Sequence, residues 1–358
     1  MINSKIIFKR TFIVFFWVSL IFIFLYFPAV KDFFGMDKSI NILVWPDIID
    51  VQVISEFEKQ TGIRVNINYY ENNEELFAKL DVTKGQGYDL ITITDVGVEH
   101  LRKKNLLKKL DKTKLKFIDE IDPHFLGHYF DSKNEYSVPY NWDIYGVGIN
   151  LKYFDKTPEK SWDLIFNPKY KDIKITMLDD AYDVILLSAM YLYGDIESID
   201  KQKLEEIQKL LIQQKSRVEV YDTLRVDYFL KSGICPAVVS QSAYIYRAIK
   251  DTKGLAFVLP KEGTFMIIES LVIPEVSKKA DLVYEFINFL YNENQIRDLF
   301  EKFGYLPTLK KILYSLDLDY IGGLDLLLDP ENFKKYFFLK RLISPDEVSQ
   351  LWINVRSS

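Results

Sequence analysis

The first part of the chain, from Ser39 to residue 93, alternates short apolar runs with amphipathic runs. Residues 40–44, 63–67 and 88–93 have the character of strands, while residues 51–62 carry apolar side chains at helical spacing. Short strand–helix–strand spacing of this kind predicts a parallel sheet with helices on both faces. In such sheets ligands bind beyond the carboxyl ends of the strands, so the residues that directly follow each strand are candidates for a site.

A second set of alternating strands and helices follows residue 145. Its strands are predicted at residues 173–177, 218–221, 237–240 and 255–259, and its first helices near residues 183–192 and 201–212. Extended stretches near residues 140–150 and 265–274 are suited to crossing between the two sets. The sequence therefore predicts an α/β fold of two lobes joined by a hinge, a clamshell. Its predicted parts are an N-terminal segment 1–38, a first lobe 39–145, a second lobe 146–268, and a return to the first lobe with C-terminal helices over 269–358.

The N-terminus has the pattern of an export segment. Lys5, Lys9 and Arg10 precede Thr11–Val30, a run of 20 residues without a charge. The run is long enough to span a bilayer as a helix, and small residues suited to cleavage are scarce. We therefore expect a body in the periplasmic space that residues 11–30 tether to the cytoplasmic membrane if they are not cleaved. The alternative is a buried N-terminal helix.

Composition excludes several kinds of site. The 358-residue chain has a net charge of −5 and no basic stripe, so a nucleic-acid partner is not expected. A single cysteine, Cys235, cannot form an intrachain disulfide or a cysteine-based metal site. His124 and His128 are four residues apart, but they lie in a predicted turn and lack the HExxH pattern. No metal site and no cofactor are predicted.

Three carboxylates lie within five residues at the start of a predicted apolar helix, namely Asp179, Asp180 and Asp183. Aspartate is a favoured N-cap residue, and negative charge is favoured near a helix N-terminus, so the cluster is explained by helix capping alone. The alternative is a grip for a cationic ligand. Local sequence leaves both explanations open.

Other polar residues follow or interrupt predicted strands. Trp45 and Asp47 come directly after the first strand, and Thr94 follows the third. The alternative to a ligand-binding role is that Trp45 is a residue of the core and that Asp47 starts a helix. Glu269 lies in an apolar run, where an unpaired carboxylate would be costly to bury. We take Glu269 as the acid most indicative of a ligand.

Several stretches in collinear order resemble one family, the periplasmic spermidine/putrescine-binding receptors of ABC importers. They run through roughly residues 39–310 and are FEKQTGIRV at 57–65, YENNE at 70–74, YDL at 88–90, YSVPY at 136–140, DDA at 179–181, PKEG at 260–263, ESL at 269–271 and GY at 304–305. The resemblance implies a periplasmic-binding-protein clamshell of type II, with a helix-flanked sheet in each lobe. It also implies a receptor without enzymatic activity.

In that family carboxylates hold the ammonium groups of the ligand, and aromatic rings line its methylene chain. The resemblance implies that Asp180 and Asp183 grip one amine and that Glu269 holds the other end. It assigns further ligand contacts to the remaining matching positions, which are Trp45, Asp47, Thr94 and Tyr305. These interactions are charge-assisted hydrogen bonds and cation–π contacts.

The chain departs from the family at four ligand-lining positions. Aliphatic residues stand where polyamine receptors usually have tyrosine or tryptophan, namely Ile48, Val96, Val239 and Ile267. Each lost cation–π contact is worth about 0.5–2 kcal/mol. The acidic positions of the family are retained, while four of its aromatic positions are aliphatic.

The expected function is that of a substrate-binding receptor which captures a polyamine outside the cytoplasmic membrane and delivers it to an ABC permease. A monomer is expected. One alternative is a receptor of the same fold for another small cationic or organic solute, and another is a membrane-tethered sensor. An enzyme that uses Cys235 as nucleophile is disfavoured, because that residue adjoins an apolar strand and no histidine lies near it in sequence.

Overall fold

The computed structural model describes residue 13 and residues 15–22, 38–194 and 197–358. Residue 13 and residues 15–22 are helical, and most of the predicted export segment lies outside the described residues. Among the residues described, no helix has both the length and the apolar character needed to cross a bilayer.

The first lobe begins with strands and helices in strict alternation. Their bounds are β1 (Ser39–Val44), α1 (Val51–Thr61), β2 (Arg64–Tyr69), α2 (Asn73–Thr83), β3 (Leu90–Thr94) and α3 (Asp95–Lys103). Helix α1 starts at Asp50, whose carboxylate accepts a hydrogen bond from the Gln52 amide, and it ends at Gly62, which has a φ of 71°. Strand β1 pairs in parallel with both β2 and β3, as the βαβ spacing predicts.

The second lobe follows a long strand. That strand is β4 (Ser137–Asn150), and the elements after it are α4 (Asp163–Phe166), β5 (Ile175–Met177), α5 (Ala181–Tyr193), α6 (Lys201–Gln214), β6 (Val218–Tyr221), α7 (Val226–Ser232), β7 (Ala237–Gln241), α8 (Ser242–Ile249) and β8 (Leu255–Val258). The chain then returns to the first lobe. The elements from there to the C-terminal helix are β9 (Thr264–Val272), α9 (Ala280–Leu290), α10 (Glu293–Phe303), β10 (Leu306–Pro307), α11 (Lys310–Leu313), α12 (Leu324–Leu328), α13 (Pro330–Phe333) and β11 (Tyr336–Phe337). The C-terminal helix is α14 (Pro345–Ser357).

Strands β4 and β9 connect the lobes. The main strand order is β2-β1-β3-β9-β4-β7-β5-β6, with β10 and β8 on β4 and β11 on β9. Up to Ile144, β4 pairs with β9 of the first lobe, and from Tyr145 onward it pairs with β7 of the second. The predicted two-lobed α/β clamshell, with a helix-flanked sheet in each lobe and a hinge between them, is confirmed. The predicted lobe boundaries at 145/146 and 268/269 fall inside these shared strands and stay predictions.

Two clusters of buried apolar side chains form the core. One fills the first lobe around Phe57 and Trp142 and continues under α7 and α8. The other lies in the second lobe around Trp162 and includes Leu351 and Val355 of the C-terminal helix. Helix α14 therefore packs on the second lobe, so the chain between β11 and α14 crosses between lobes once more.

Candidate functional site

The carboxyl ends of β1 and β3 meet at the cleft side of the first lobe. The Trp45 amide donates a hydrogen bond to the Thr92 hydroxyl (3.2 Å), and the Trp45 ring packs edge-on against Tyr70 at 5.5 Å between centroids. Thr94 lies directly opposite Glu269, because β3 and β9 pair antiparallel with these residues in register. Trp45 and Thr94 thus lie at the carboxyl ends of β1 and β3, and Glu269 lies within β9 opposite Thr94.

Glu269 is a buried acid without a cationic partner among the residues that the structure describes. Its side chain is 6% exposed, it forms no ion pair with any described residue, and its Oε1 atom has no hydrogen-bond partner among them. Burial raises the pKa of Glu269 to about 8; a hydrogen bond with Thr92 lowers it, and the negative charge of Asp95 raises it further. Asp95 is itself buried and accepts a hydrogen bond from Tyr129 (3.1 Å), and burial raises its pKa to about 7. A positive charge placed beside these two buried carboxyl groups would favour their ionised forms.

The aspartate cluster lies at the start of α5 in the second lobe. Asp180 is the N-cap, and its carboxylate accepts hydrogen bonds from the amides of Tyr182 (2.7 Å) and Asp183 (3.1 Å). The predicted capping role is thus confirmed for Asp180. Asp183 accepts a hydrogen bond from the hydroxyl of Tyr145 on β4 (2.6 Å). A ligand-binding role for either carboxylate stays a prediction.

The two groups of acids lie beside different parts of β4. Asn141 lies opposite Glu269 in the sheet, and Tyr145, four residues later on the same face, reaches Asp183. Four residues of strand span about 13 Å. The arrangement therefore offers two separate anionic positions, which suits a molecule with a cation at each end.

Asp47 has a partner that the sequence did not predict. Its carboxylate forms an ion pair with Arg247 of α8, 3.2 Å from Oδ2 to Nη1, which joins the first lobe to the second. The alternative explanation of Asp47 as a helix-starting residue is wrong, because Asp50 caps α1. Asp47 instead has a φ of 65° in the loop before that helix. A ligand contact of Asp47 stays a prediction, and it has to compete with Arg247.

Tyr305 lies where the lobes touch. It follows Gly304, whose φ of 85° ends α10 and whose position leaves no room for a side chain beside the Ala243 carbonyl. The Tyr305 hydroxyl is 3.3 Å from that of Tyr244 on α8, and both rings are buried. Tyr305 therefore belongs to the contact between the lobes, and its predicted ligand role is untested.

The four aliphatic replacements have different environments. Ile48 and Val239 are 3% and 0% exposed and belong to the two core clusters. Val96 and Ile267 are only partly buried. Ile267 lies two residues before Glu269 on the same face of β9, so of the four it is the one best placed to line a ligand held by Glu269.

Sequence reasoning missed several polar residues around these acids. Tyr145, Tyr244 and Arg247 come from the second lobe, and Asn141 comes from the hinge strand. Nothing in their local sequence separates them from ordinary strand and helix residues. Asn141 lies within a stretch of β4 that flanks a matched motif, but its position opposite Glu269 depends on a register shift that a single sequence does not show.

The structure contains neither a metal-binding cluster nor a reactive cysteine within its described residues. No three of their His, Cys, Asp or Glu side chains are placed to hold a metal ion. Cys235 is buried, and burial raises the pKa of its thiol to about 11, which disfavours the nucleophilic thiolate. A cavity of about 280 Å³ lies between Tyr129, Leu186, Phe265 and the chain after β11, but none of the predicted ligand residues lines it.

Comparisons with known proteins agree with this architecture. Residues 52–317 match the family model described as bacterial extracellular solute-binding protein. The spermidine/putrescine-binding periplasmic protein of Salmonella typhimurium is 30% identical over 266 residues, 74% of this chain and 75% of that protein. The putrescine-binding periplasmic protein PotF of Escherichia coli K12 is 27% identical over 343 residues, 89% of this chain and 92% of that protein.

Solved structures show the same fold. The substrate-binding protein PotD of a spermidine/putrescine ABC transporter from Streptococcus pneumoniae superposes with a TM-score of 0.76 at 24% identity, over 89% of this chain and 99% of that one. A putative spermidine/putrescine ABC transporter protein from Listeria monocytogenes gives a TM-score of 0.78 at 24% identity, over 89% and 98%. The family model covers most of the chain, and the Salmonella relative is similar over three quarters of its length. The chain belongs to the bacterial extracellular solute-binding protein family.

Proposed function

We propose that this protein is the polyamine receptor of an ABC importer, which captures spermidine or putrescine outside the cytoplasmic membrane and presents it to the permease. The observation that carries the proposal is Glu269, a buried carboxyl group that forms no ion pair with any described residue. A second acidic position is Asp183, which is bonded to Tyr145, four residues and about 13 Å of strand beyond Asn141, the residue opposite Glu269. Two ammonium groups on a methylene chain match both features through charge-assisted hydrogen bonds.

The relatives support the same ligand class. Several are named for binding spermidine, putrescine or cadaverine. In the proposed complex Asp180 and Asp183 hold one amine and Glu269 the other, while Trp45, Thr94 and Tyr305 line the chain between them. Asp47 contributes by pairing with Arg247 when the lobes close. The receptor acts as a monomer without catalysis and without a nucleic-acid partner. Residues 11–30 tether it if they are not cleaved, which mass spectrometry of the native N-terminus tests.

Calorimetry with spermidine, putrescine and cadaverine tests the proposal directly. We expect saturable binding of at least one of them with 1:1 stoichiometry, and a matching rise in the unfolding temperature, since a ligand that binds only the native state stabilises it. Neutral diols of the same length serve as controls and should not bind. No heat and no thermal shift with any polyamine at millimolar concentration would refute the polyamine assignment.

A second candidate is a receptor for a different small organic cation. It is favoured by the aliphatic side chains at Ile48, Val96, Val239 and Ile267, which remove aromatic contacts to methylenes and ammonium groups. The acids would serve such a ligand equally well. Mass spectrometry of a compound that co-purifies with the receptor separates the two candidates.

An aromatic side chain at one of the four aliphatic positions should strengthen polyamine binding. We expect Ile267→Trp to raise the affinity for spermidine by about 2- to 30-fold, which corresponds to one cation–π contact of about 0.5–2 kcal/mol. Val239→Trp is the matched control. Val239 is fully buried, so a larger ring there should overpack the core and lower the unfolding temperature instead. Calorimetry and thermal unfolding of both variants measure these effects, and unchanged affinity of Ile267→Trp would place residue 267 outside the binding site.

A further inference from the structure

Three polar side chains form a continuous row across the strands at the hinge. Thr94 on β3 lies opposite Glu269 on β9, and Glu269 lies opposite Asn141 on β4. Directly opposed residues of antiparallel strands point to the same face, with their Cβ atoms about 4.5–5.5 Å apart. A register shift between Pro139 and Asn141 brings the asparagine into line.

Each member of the row has a buried polar atom that finds no hydrogen-bond partner in the described part of the chain. These atoms are Thr94 Oγ1, Glu269 Oε1 and Asn141 Nδ2. Glu269 and Asn141 are 6% and 2% exposed. Buried polar groups are nearly always hydrogen-bonded, so three neighbouring exceptions on one face indicate a place built for a ligand.

In the described part of the chain, the groups that act on Glu269 are acidic or neutral. From the start of α3 comes Asp95, which is bonded to Tyr129, and from β3 comes Thr92. The Tyr70 phenol donates to the Thr92 carbonyl, and burial together with the negative charge of Glu269 raises its pKa. Since no cation of the described residues pairs with Glu269, burial favours the neutral, protonated form of the Glu269 carboxyl.

The charged groups on the neighbouring elements are already paired. On β4, Asp143 lies on the same face as Asn141 and accepts hydrogen bonds from the Ser242 hydroxyl and the Ala243 amide of α8. In the second lobe, Asp183 accepts one from Tyr145. Arg247 of α8 forms its ion pair with Asp47. None of these three groups is hydrogen-bonded or ion-paired to Glu269, which leaves the charge of Glu269 to be balanced by a proton or by a ligand.

We propose that the Thr94–Glu269–Asn141 row binds one ammonium group in exchange for the proton of Glu269, with Asn141 as the positioning residue for the resulting carboxylate. This inference rests on the proposed polyamine function. The Glu269 O–H bond breaks heterolytically, its electron pair stays on the carboxylate, and the proton passes to water. The carboxylate then accepts hydrogen bonds from the ammonium group and from the Asn141 amide, while Thr94 Oγ1 accepts a second ammonium N–H. One positive charge enters as one leaves, so the buried site never holds an unbalanced charge.

Proton exchange makes binding depend on pH in a defined direction. Alkylamines have pKa values of about 10, so the ligand stays protonated near neutral pH and the released proton comes from the receptor. Below a pH of about 8 each unit of acidification should weaken binding about tenfold, because protonation of Glu269 competes with the ammonium group.

The direct measurement is calorimetry of putrescine and spermidine at pH 7 in buffers of different ionisation enthalpy. We expect about one proton to be released per ligand bound by the wild-type receptor. Binding with no proton release would overturn the inference and leave the proposed function intact. No binding by either amine would refute the proposed function instead.

Three variants test which carboxyl group releases the proton. Glu269→Gln should abolish the proton release and make the affinity independent of pH between pH 6 and pH 8. Asn141→Ala should weaken binding about tenfold at pH 7 and move the midpoint of the pH profile upward, because the carboxylate loses a donor. A purely structural role for Asn141 would weaken binding equally at every pH. Asp143→Asn, which removes a different buried carboxyl group, is the control and should leave the release unchanged; release that follows Asp143 would overturn the assignment.

Infrared spectroscopy tests the ligand-free receptor without reference to any ligand. A protonated buried carboxyl group gives a C=O stretch distinct from that of a carboxylate. At pH 7 we expect such a band in the wild type, with contributions from Asp95 and Asp143 as well as Glu269. Glu269→Gln should remove the Glu269 contribution and leave the other two, whereas Asp143→Asn should keep the Glu269 contribution. A spectrum that is identical in wild type and Glu269→Gln would show that Glu269 is already ionised and would overturn the inference.

Discussion

Replacement of Asp183 by alanine should lower the affinity for putrescine and spermidine at least about tenfold while the receptor stays folded. The carboxylate would supply a charge-assisted hydrogen bond to an ammonium group, and removing one such bond costs about 1.5–3 kcal/mol. Helix α5 keeps its N-cap, because Asp180 accepts the amide hydrogen bonds that start it. The loss of the hydrogen bond from Tyr145 and of one acidic residue in the first turn should lower stability by only about 1–2 kcal/mol.

Asp179→Ala is the matched control for that experiment. It removes the same charge four positions earlier, from an exposed residue whose carboxylate accepts a hydrogen bond from the Thr223 hydroxyl (2.5 Å). We expect its affinity to stay within about twofold of wild type, since an exposed charge acts through solvent. Calorimetry gives the affinities and thermal unfolding the stabilities. Equal effects of the two substitutions would mean that the cluster acts only through its summed charge, and an unchanged affinity in both would leave it with the capping role alone.

The fold was predictable because its signals are local. Apolar runs bounded by capping residues and glycine predicted β1, α1 and β2 close to their observed bounds. The third strand was predicted to end at Ile93, but it ends at Thr94, which also serves as the N-cap of α3. The two-residue strands β10 and β11 were not predicted, because they exist only through pairing with β4 and β9.

The candidate site was predictable in part, and the reason differs from residue to residue. Glu269 was identifiable because a carboxylate in an apolar run needs a partner. The pairing of Asp47 with Arg247 was not, because 200 residues separate them and only the closure of the two lobes brings them together. Asn141 escaped notice because a register shift in β4, invisible in a single sequence, decides what it faces.

The raised pKa of Glu269 also affects the stability of the ligand-free receptor. Glu269 has a pKa of about 8 in the folded protein and its ordinary value of 4.5 when the chain unfolds. Below pH 4.5 both states are protonated and the shift has no effect. Between pH 4.5 and pH 8 the unfolded state gives up the proton while the folded state keeps it, so stability falls by about 1.4 kcal/mol per pH unit. The full loss, about 3–6 kcal/mol, is reached above pH 8.

Glu269→Gln should therefore become progressively more stable than the wild type as the pH rises. The amide keeps the shape of the protonated acid but cannot ionise, so the wild-type curve should fall relative to the variant by about 3–5 kcal/mol between pH 5 and pH 8. Urea denaturation at several pH values without ligand measures the difference. Any dependence of stability on pH that remains in the variant comes from other groups, which include the buried acids Asp95 and Asp143. Parallel stability curves for the two proteins would contradict the raised pKa. Saturating polyamine should reverse the trend in the wild type, because the ammonium group supplies the counter-charge that the ionised carboxylate otherwise lacks.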